Sequence, residues 1–377
     1  MKKTLGLYVH IPFCRSKCLY CDFCSFPRPR EALVEAYIKA LEQDLLQKSA
    51  LCRDYEVDTV YFGGGTPTSL PGGLLPSLLD RITSLYNVVA DAEITAECNP
   101  TTESLSLFRD MRRSGFNRLS VGVQSVHKGE LKALGRIHSF FDVEKTFADA
   151  RAAGFFNLSA DVMFGIPYQT PESFSRTLEH LVALEPMHLS AYGLQIEEGT
   201  PFHRMEKTLA LPDEEAVERM YFEGIDLLSH LGFSQYEISN FARDGYESRH
   251  NLKYWNCEEY LGFGVAAYSD FLGERFGNSR DLVAYSKGED IVEERQKISV
   301  EERKNEYVML RMRLAEGVIA SDFEKRFGGS FWESFGARLK KYESGGFVKV
   351  TERGAAFTPK GLYVSNAILA EILDFPT

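Results

Sequence analysis

The sequence lacks any apolar stretch near the roughly 18 to 20 residues that a membrane-spanning helix needs. We also expect no secretory signal. The apolar segment behind Lys2 and Lys3 is interrupted by His10 and Pro12 and ends in no small-residue cleavage site. We therefore expect a cytoplasmic protein. In that reducing compartment the seven cysteines would not pair as disulfides, so clustered ones indicate metal or redox chemistry.

Positive charge is scarce as well. The chain carries 43 lysines and arginines against 54 aspartates and glutamates, a net charge of −11. Proteins that bind nucleic acid by neutralising phosphates need the opposite excess, so nucleic acid is not an expected partner. A hydrophobic content of 44% over 377 residues is that of an ordinary globular protein with room for one large and one smaller domain.

Through residue 194, short apolar segments alternate with longer amphipathic ones. The predicted strands are 5–10, 59–62, 93–97, 118–123, 157–164 and 188–194, and the predicted helices between them are 33–48, 74–86, 104–114, 142–153 and 170–184. Strands that alternate with helices form parallel sheets through right-handed crossovers. The pattern predicts an α/β fold, a partial (β/α)6 barrel with its functional residues at the C-terminal ends of the strands.

The last quarter of the chain has a different character. The charge-rich segment 289–302 predicts a linker, after a domain that ends at residue 287. Helices at 305–314, 321–327 and 331–342 and a strand at 347–350 then predict a small winged-helix-like α+β domain over 288–377. Winged helices often bind DNA, but the acidic chain favours a packing or lid role, so a DNA-binding regulator is only a third hypothesis.

Three cysteines cluster in the loop after the first strand, as Cys14-x3-Cys18-x2-Cys21. Three thiolates can hold a cubane iron–sulfur cluster and leave its fourth iron open. S-adenosylmethionine can fill that position through its amino and carboxylate groups, and one electron from the cluster can then cleave a carbon–sulfur bond. A structural zinc loop with Cys24 as fourth ligand is the alternative.

Polar residues at the ends of successive strands suggest one shared pocket. Residues 63–65 are glycines that let the backbone approach a ligand, although a tight turn would explain them equally well. Glu97 offers a carboxylate to an ammonium or a ribose, and Arg136 can pair with a carboxylate in bidentate fashion. Gln124 and Asp161 belong to the fourth and fifth strand regions.

With Tyr20 before the third cysteine, the loop reads C-x3-C-x-aromatic-C and resembles the hallmark of the radical S-adenosylmethionine (SAM) superfamily. Residues 8–14, YVHIPFC, are similar to the oxygen-independent coproporphyrinogen dehydrogenase-like group, and the resemblance runs through the tail. It implies a [4Fe-4S] cluster on Cys14, Cys18 and Cys21, with S-adenosyl-L-methionine. The positions that match SAM contacts of the family are Tyr8, Tyr20, Gly64, Gly65, Thr66, Glu97, Gln124, Arg136 and Asp161. Some relatives are described with two SAM molecules, so these residues need not all touch the same one.

Two branches of that group compete. The dehydrogenases carry an N-terminal extension and a C-x3-C-x2-C-x-C pattern, whereas this chain begins its first strand at about residue 5 and has Cys24 one residue too late. The haem chaperone branch, HemW, begins directly at the strand and has Cys-Asp-Phe at the third cysteine, as at residues 21–23. It also carries H-N-x-x-Y-W, present here as residues 250–255.

His250 of that motif is the best candidate axial ligand for haem iron, with Tyr254 and Trp255 as an aromatic wall. A hydrogen-bonded structural histidine is the alternative. Family members often have an Ala-His pair in the next glycine-rich segment, where this chain has Tyr268. A second histidine ligand there is therefore not expected, and Cys257 is a weak alternative ligand.

The resemblance implies a haem chaperone that binds haem, the cluster and SAM and delivers haem to respiratory haem proteins. A peripheral membrane contact and a homodimer are further expectations. The alternative is an oxygen-independent coproporphyrinogen III dehydrogenase, or a radical SAM enzyme that modifies haem, with flavodoxin or ferredoxin as electron donor.

Overall fold

The computed structural model describes residues 3–100 and 105–373. Six parallel strands lie side by side in chain order within a twelve-stranded sheet. They are β1 (Lys3–Ile11), β2 (Tyr55–Gly64), β3 (Val88–Cys98), β4 (Arg118–Gln124), β5 (Asn157–Phe164) and β6 (His188–Gly193). The predicted partial barrel of six strands is confirmed.

Helices follow the strands and pack against the sheet. They are α1 (Glu31–Ser49), α2 (Leu74–Leu85), α3 (Leu105–Ser114), α4 (Lys128–Ala133), α5 (Phe140–Ala152) and α6 (Pro171–Val182), with short 3-10 turns at Ala50–Cys52 and Pro67–Ser69. In α2, Leu75, Leu78, Leu79 and Ile82 recur at helical spacing and are fully buried in the main core. Ser104, at the start of the predicted third helix, lies outside the described residues.

Alternation within the strands separates the core from the barrel interior. In β4, Leu119, Val121 and Val123 are fully buried in the apolar core. The residues that alternate with them line an interior cavity, namely Arg118, Ser120, Gly122 and Gln124. Because side chains along a strand point to opposite faces, an apolar outer face leaves a polar barrel interior.

Further strands and helices extend both edges of the sheet. They are α7 (Pro201–Met205), a 3-10 turn (Glu206–Thr208), α8 (Glu214–His230), β7 (Ser234–Gln235), β8 (Asn240–Ala242), α9 (Arg249–Trp255), β9 (Tyr260–Phe263), β10 (Tyr268–Phe271), β11 (Glu274–Asn278), α10 (Leu282–Ser286) and β12 (Val292–Lys297). The full order is β12-β11-β10-β9-β1-β2-β3-β4-β5-β6-β8-β7, and β9 is parallel to β1.

The segment 289–302 is not a linker, so that prediction is wrong. It contains the edge strand β12 and the start of the next helix. The charges fit an exposed edge strand, where Arg295 pairs with Glu274 and lies over the ring of Phe276.

The chain ends in a small α+β unit with its own hydrophobic cluster, which begins at Tyr307. Its elements are α11 (Val300–Arg311), β13 (Val318–Ile319), α12 (Ala320–Phe327), a π turn (Trp332–Gly336), α13 (Ala337–Glu343), β14 (Val348–Thr351), β15 (Gly354–Phe357), α14 (Pro359–Tyr363) and α15 (Ser365–Ile372). The strands form a sheet in the order β13-β15-β14. Helix α11 starts earlier than predicted because Ser299 and Glu302 form a capping box. The domain boundary after residue 287 stays a prediction. Among the described residues, none of the helices combines the length and apolar character of a membrane span.

Candidate cofactor-binding site

A cavity of about 320 Å³ lies within the barrel. Most of the predicted site residues line it: Cys14, Cys18, Cys21, Tyr20, Gly64, Gly65, Glu97, Gln124, Arg136 and Asp161. They come from the cysteine loop, from strands β2 to β5 with the turn after β2, and from the segment after α4. The parallel topology therefore brings together residues far apart in sequence. Tyr8, Thr66 and His250 are outside this lining.

Backbone hydrogen bonds tie the cysteine loop to the barrel. Residues Phe13–Cys14 pair in parallel with Phe26–Pro27, which closes the loop at its base. The amide of Leu19 donates to the carbonyl of Leu134 at 3.1 Å. The loop is thus held against the segment that leads to Arg136, whose Nη1 lies 3.4 Å from Cys18 Sγ.

The three thiols are close enough to influence one another. Burial raises the pKa of the Cys14 and Cys21 thiols, and repulsion from the neighbouring cysteines raises it further. Three thiolates here therefore need positive charge between them, which the irons of a cluster supply. In the described parts of the chain, no three His, Cys, Asp or Glu side chains form a ready site for a single metal ion. Three thiols from one loop that line the same cavity are a donor set that fits an iron–sulfur cluster.

Cys24 does not join the other three cysteines. Its side chain is buried in the main hydrophobic core, and it does not line the cavity. Its carbonyl instead accepts a hydrogen bond of 2.9 Å from His10 Nε2. Cys24 is therefore not placed to serve as the fourth ligand of a structural zinc site.

Glu97 is fixed by the glycine turn after β2. One of its oxygens accepts a hydrogen bond from the Tyr61 hydroxyl at 2.9 Å, and the other accepts one from the Gly64 amide at 3.0 Å. Burial raises the pKa of this carboxyl to about 7. Gly64 has a φ of +106°, and a Cβ there would lie 2.4 Å from the His10 ring. The glycines make a tight turn, and that turn also holds a partly buried carboxylate at the cavity.

A chain of hydrogen bonds links Arg136 to Cys14. The guanidinium donates to the Gly122 carbonyl and to Asn99 Oδ1. Asn99 Nδ2 donates to Thr66 Oγ1 at 2.7 Å, and Thr66 Oγ1 lies 3.6 Å from Cys14 Sγ. Thr66 therefore supports the first cysteine from behind the cavity wall.

Asp161 and Gln124 occupy neighbouring strands. The Ser120 hydroxyl donates to both oxygens of Asp161, at 3.0 and 3.1 Å, and burial raises the pKa of that carboxyl. Gln124 has a φ of +69°, at an irregularity in the β4–β5 pairing. Left-handed backbone at a non-glycine residue is strained and is frequent at ligand sites.

His250 lies on α9 and is 1% exposed. Its Nδ1 is 2.8 Å from Thr59 Oγ1 and its Nε2 is 2.8 Å from the Tyr254 hydroxyl. Burial lowers the pKa of His250 to about 3, so the ring is neutral and each nitrogen has one partner. This is the hydrogen-bonded arrangement that the sequence left open as the alternative. As a ligand of haem iron His250 stays a prediction, one that requires a ring nitrogen to leave its present partner.

Tyr8 is part of the same aromatic layer. Its ring stacks on those of Tyr61 and His250, with centroids 6.2 and 6.5 Å away. Its hydroxyl donates to His10 Nδ1 at 3.0 Å, because His10 uses Nε2–H to donate to the Cys24 carbonyl. Tyr8 therefore helps to anchor the cysteine loop.

Sequence reasoning missed several lining residues, namely Asn99, Arg118, Ser120, Met163, Ser190, Tyr192 and Asn251. Polar residues at every second position of a buried strand could have identified some of these lining residues from the sequence. In β4 that signal includes Arg118 and Ser120, which alternate with Leu119 and Val121.

Two family models match the chain. The Radical SAM superfamily matches residues 8–181, and the HemN C-terminal domain matches residues 298–364. The heme chaperone HemW of Bacillus subtilis (strain 168) is 34% identical over 376 residues, which cover 97% of this chain and 98% of the relative. HemW of Escherichia coli (strain K12) is 36% identical over 324 residues, 85% of either chain. Among solved structures, coproporphyrinogen III oxidase (HemN) from Escherichia coli, described as a radical SAM enzyme, matches with a TM-score of 0.87 at 26% identity, over 100% of this chain and 91% of its own.

Proposed function

Because the chain belongs to the radical SAM superfamily and, within it, to the family of the heme chaperone HemW, we propose that it is a haem chaperone. It binds haem, holds a [4Fe-4S] cluster with SAM, and delivers haem to respiratory haem proteins. The observation that carries the proposal is identity above 30% over nearly the full length of relatives with that name.

Different residues of the cavity would hold the cluster and SAM. Cys14, Cys18 and Cys21 would hold the cluster, and SAM would lie beside it in the cavity. The cluster supplies, when bound, a single electron at low potential. Arg136 places a positive charge beside Cys18, and Glu97 presents a carboxylate to a cationic or hydroxyl group of SAM.

Haem is the cargo in this proposal. His250 is its proposed axial ligand, after release from Thr59 or Tyr254. A homodimer and a peripheral membrane contact belong to the same proposal as routes by which haem reaches its acceptors.

An enzyme remains the second candidate, because the HemN structure matches over the whole chain. Oxygen-independent oxidation of coproporphyrinogen III would then use the same cluster and an electron donor such as flavodoxin or ferredoxin. The burial of Cys24 away from the cavity argues for the chaperone, since the pattern of the dehydrogenases places a fourth cysteine beside the third.

Anaerobic reconstitution with iron and sulfide, followed by two parallel assays, tests the proposal. We expect haem to bind in an absorbance titration, and dithionite-reduced protein with SAM to leave coproporphyrinogen III unchanged. Cys21→Ala should lose the cluster spectrum, whereas Cys24→Ala should keep it. Vinyl products from coproporphyrinogen, or no haem binding by cluster-loaded protein, would contradict the chaperone proposal.

A further inference from the structure

Arg118 is a buried cation, and the described residues give it no hydrogen-bond or ion-pair partner. It is 1% exposed, begins β4, and lines the cavity from the barrel interior. Its Nε has no hydrogen-bond partner among the described residues, and within the same residues its guanidinium joins no salt bridge. Burying an unpaired charge costs several kcal/mol or more, so buried arginines are normally paired.

The nearby carboxylates are already engaged elsewhere. Glu97 accepts hydrogen bonds from Tyr61 and Gly64, and Asp161 accepts them from Ser120. Burial raises the pKa of both carboxyls, and the charge of Arg118 offsets part of that rise, so Arg118 lies close enough to act on them without pairing. The carboxylates of the cavity are therefore already hydrogen-bonded, whereas the guanidinium of Arg118 has no partner in the described parts of the chain and is free to receive an anion.

The position of Arg118 separates it from the cysteine loop. Arg118 and Gln124 are the two ends of β4, about 20 Å apart at a rise of about 3.3 Å per residue. The link from Arg136 to the cysteine loop meets β4 at Gly122, near the Gln124 end. The cysteines that would hold a cluster are linked to that end, so Arg118 faces a different part of the cavity.

We propose that Arg118 binds a carboxylate of a ligand at the end of the cavity remote from the cysteine loop. Guanidinium and carboxylate match in charge and in bidentate geometry. The choice of ligand rests on the proposed function. A propionate of haem and the amino-acid carboxylate of a SAM molecule held away from the cluster supply the same chemistry.

Paired ligands with and without the carboxylate test this assignment. Cluster-loaded wild type, Arg118→Met and Arg118→Lys are titrated with haemin and its dimethyl ester, and with SAM and decarboxylated SAM. In one of these pairs, wild type should bind the ligand that carries the carboxylate about 10- to 100-fold more tightly than the ligand without it. This is the gain in affinity expected from a charge-assisted hydrogen bond. Arg118→Met should lose that preference, and Arg118→Lys should keep part of it. Arg113→Met removes the same charge from an exposed surface pair and should behave as wild type.

The ligand pair that responds identifies the source. A preference confined to haemin assigns the propionate, and one confined to SAM assigns the amino-acid carboxylate. Wild type without a preference in either pair, or Arg118→Met with the full preference, overturns the proposal. Absence of haem binding contradicts the chaperone function instead, and the SAM pair then decides on Arg118. If Arg118→Met does not fold, the preference for the carboxylate is compared between wild type and Arg118→Lys, and an equal preference in the two overturns the proposal.

Discussion

At the scale of single residues, the barrel interior holds ionisable groups that burial has shifted. The pKa of Glu97 is raised to about 7, and the pKa values of His10 and His250 are lowered to about 4 and about 3. Desolvation is the largest cause in each case, because it disfavours the charged form. Burial therefore favours the neutral forms of these three side chains.

Glu97 should make the cofactor-free protein less stable at alkaline pH. Its pKa is raised above the ordinary value of 4.5, so its contribution to stability is fully present below about pH 4.5 and is lost as the pH rises through about 7. Wild type should thus lose up to about 3 kcal/mol relative to Glu97→Gln between pH 5 and pH 8. Urea unfolding at the two pH values measures this, and a difference that does not change with pH would contradict it.

His250→Ala should destabilise the protein by about 2 to 4 kcal/mol, because it opens a cavity and leaves Thr59 and Tyr254 unpaired. His188→Ala is a matched control, since that histidine is also fully buried between two hydroxyls, those of Ser159 and Tyr236. If His250 binds haem iron, its loss should weaken haem binding at least about tenfold more than loss of His188. Equal effects in a haem titration would show that His250 has only a structural role.

At the scale of elements, hydrophobic periodicity predicted the six barrel strands and their helices because each has a long buried face. It failed for β12, whose charged residues resemble a linker but suit an exposed edge. Periodicity also could not predict the left-handed backbone of Gln124 or the position of Asn99 between Arg136 and Thr66. Both depend on packing between elements that are distant in sequence. The proximity of Cys14, Cys18 and Cys21 was predictable because they are close in sequence, and their role as cluster ligands stays a prediction.

The turn after β2 should tolerate only glycine at position 64. Gly64→Ala adds a Cβ where the His10 ring lies 2.4 Å away and the backbone φ is +106°. We expect a loss of roughly 1 to 3 kcal/mol in stability together with weaker SAM binding, because the amide of Gly64 holds Glu97. Gly72→Ala is the control, since nothing lies within 4 Å of its Cβ position. Calorimetry and SAM titration check both variants, and equal behaviour of the two would refute the argument.

At the scale of the whole molecule, the barrel meets the C-terminal unit at Glu237. Its backbone bridges to Leu314, its side chain is fully buried, and its Oε1 has no hydrogen-bond partner among the described residues. Burial raises the pKa of Glu237 to about 7. The contact between the barrel and the C-terminal unit is therefore most stable when the carboxyl of Glu237 is protonated.

Glu237→Gln should stabilise the protein above pH 7 by about 1 to 3 kcal/mol and have little effect at pH 5. The sign follows from the raised pKa, which makes the wild-type junction weaken as the pH rises through about 7. Thermal unfolding at pH 5 and pH 8 measures the change. Destabilisation at pH 8 would instead indicate that the ionised carboxylate is needed, through attraction to the nearby Arg313.

Haem transfer is the most direct test of the central claim. Cluster-loaded protein carrying one haem is mixed anaerobically with a haem-free respiratory cytochrome, and the spectrum of the acceptor is followed over time. The proposed function predicts that haem moves from this chain to the cytochrome and that Cys21→Ala, which cannot hold the cluster, transfers it more slowly. Haem that stays on the chain, or reaches the cytochrome no faster than free haem does, would contradict it.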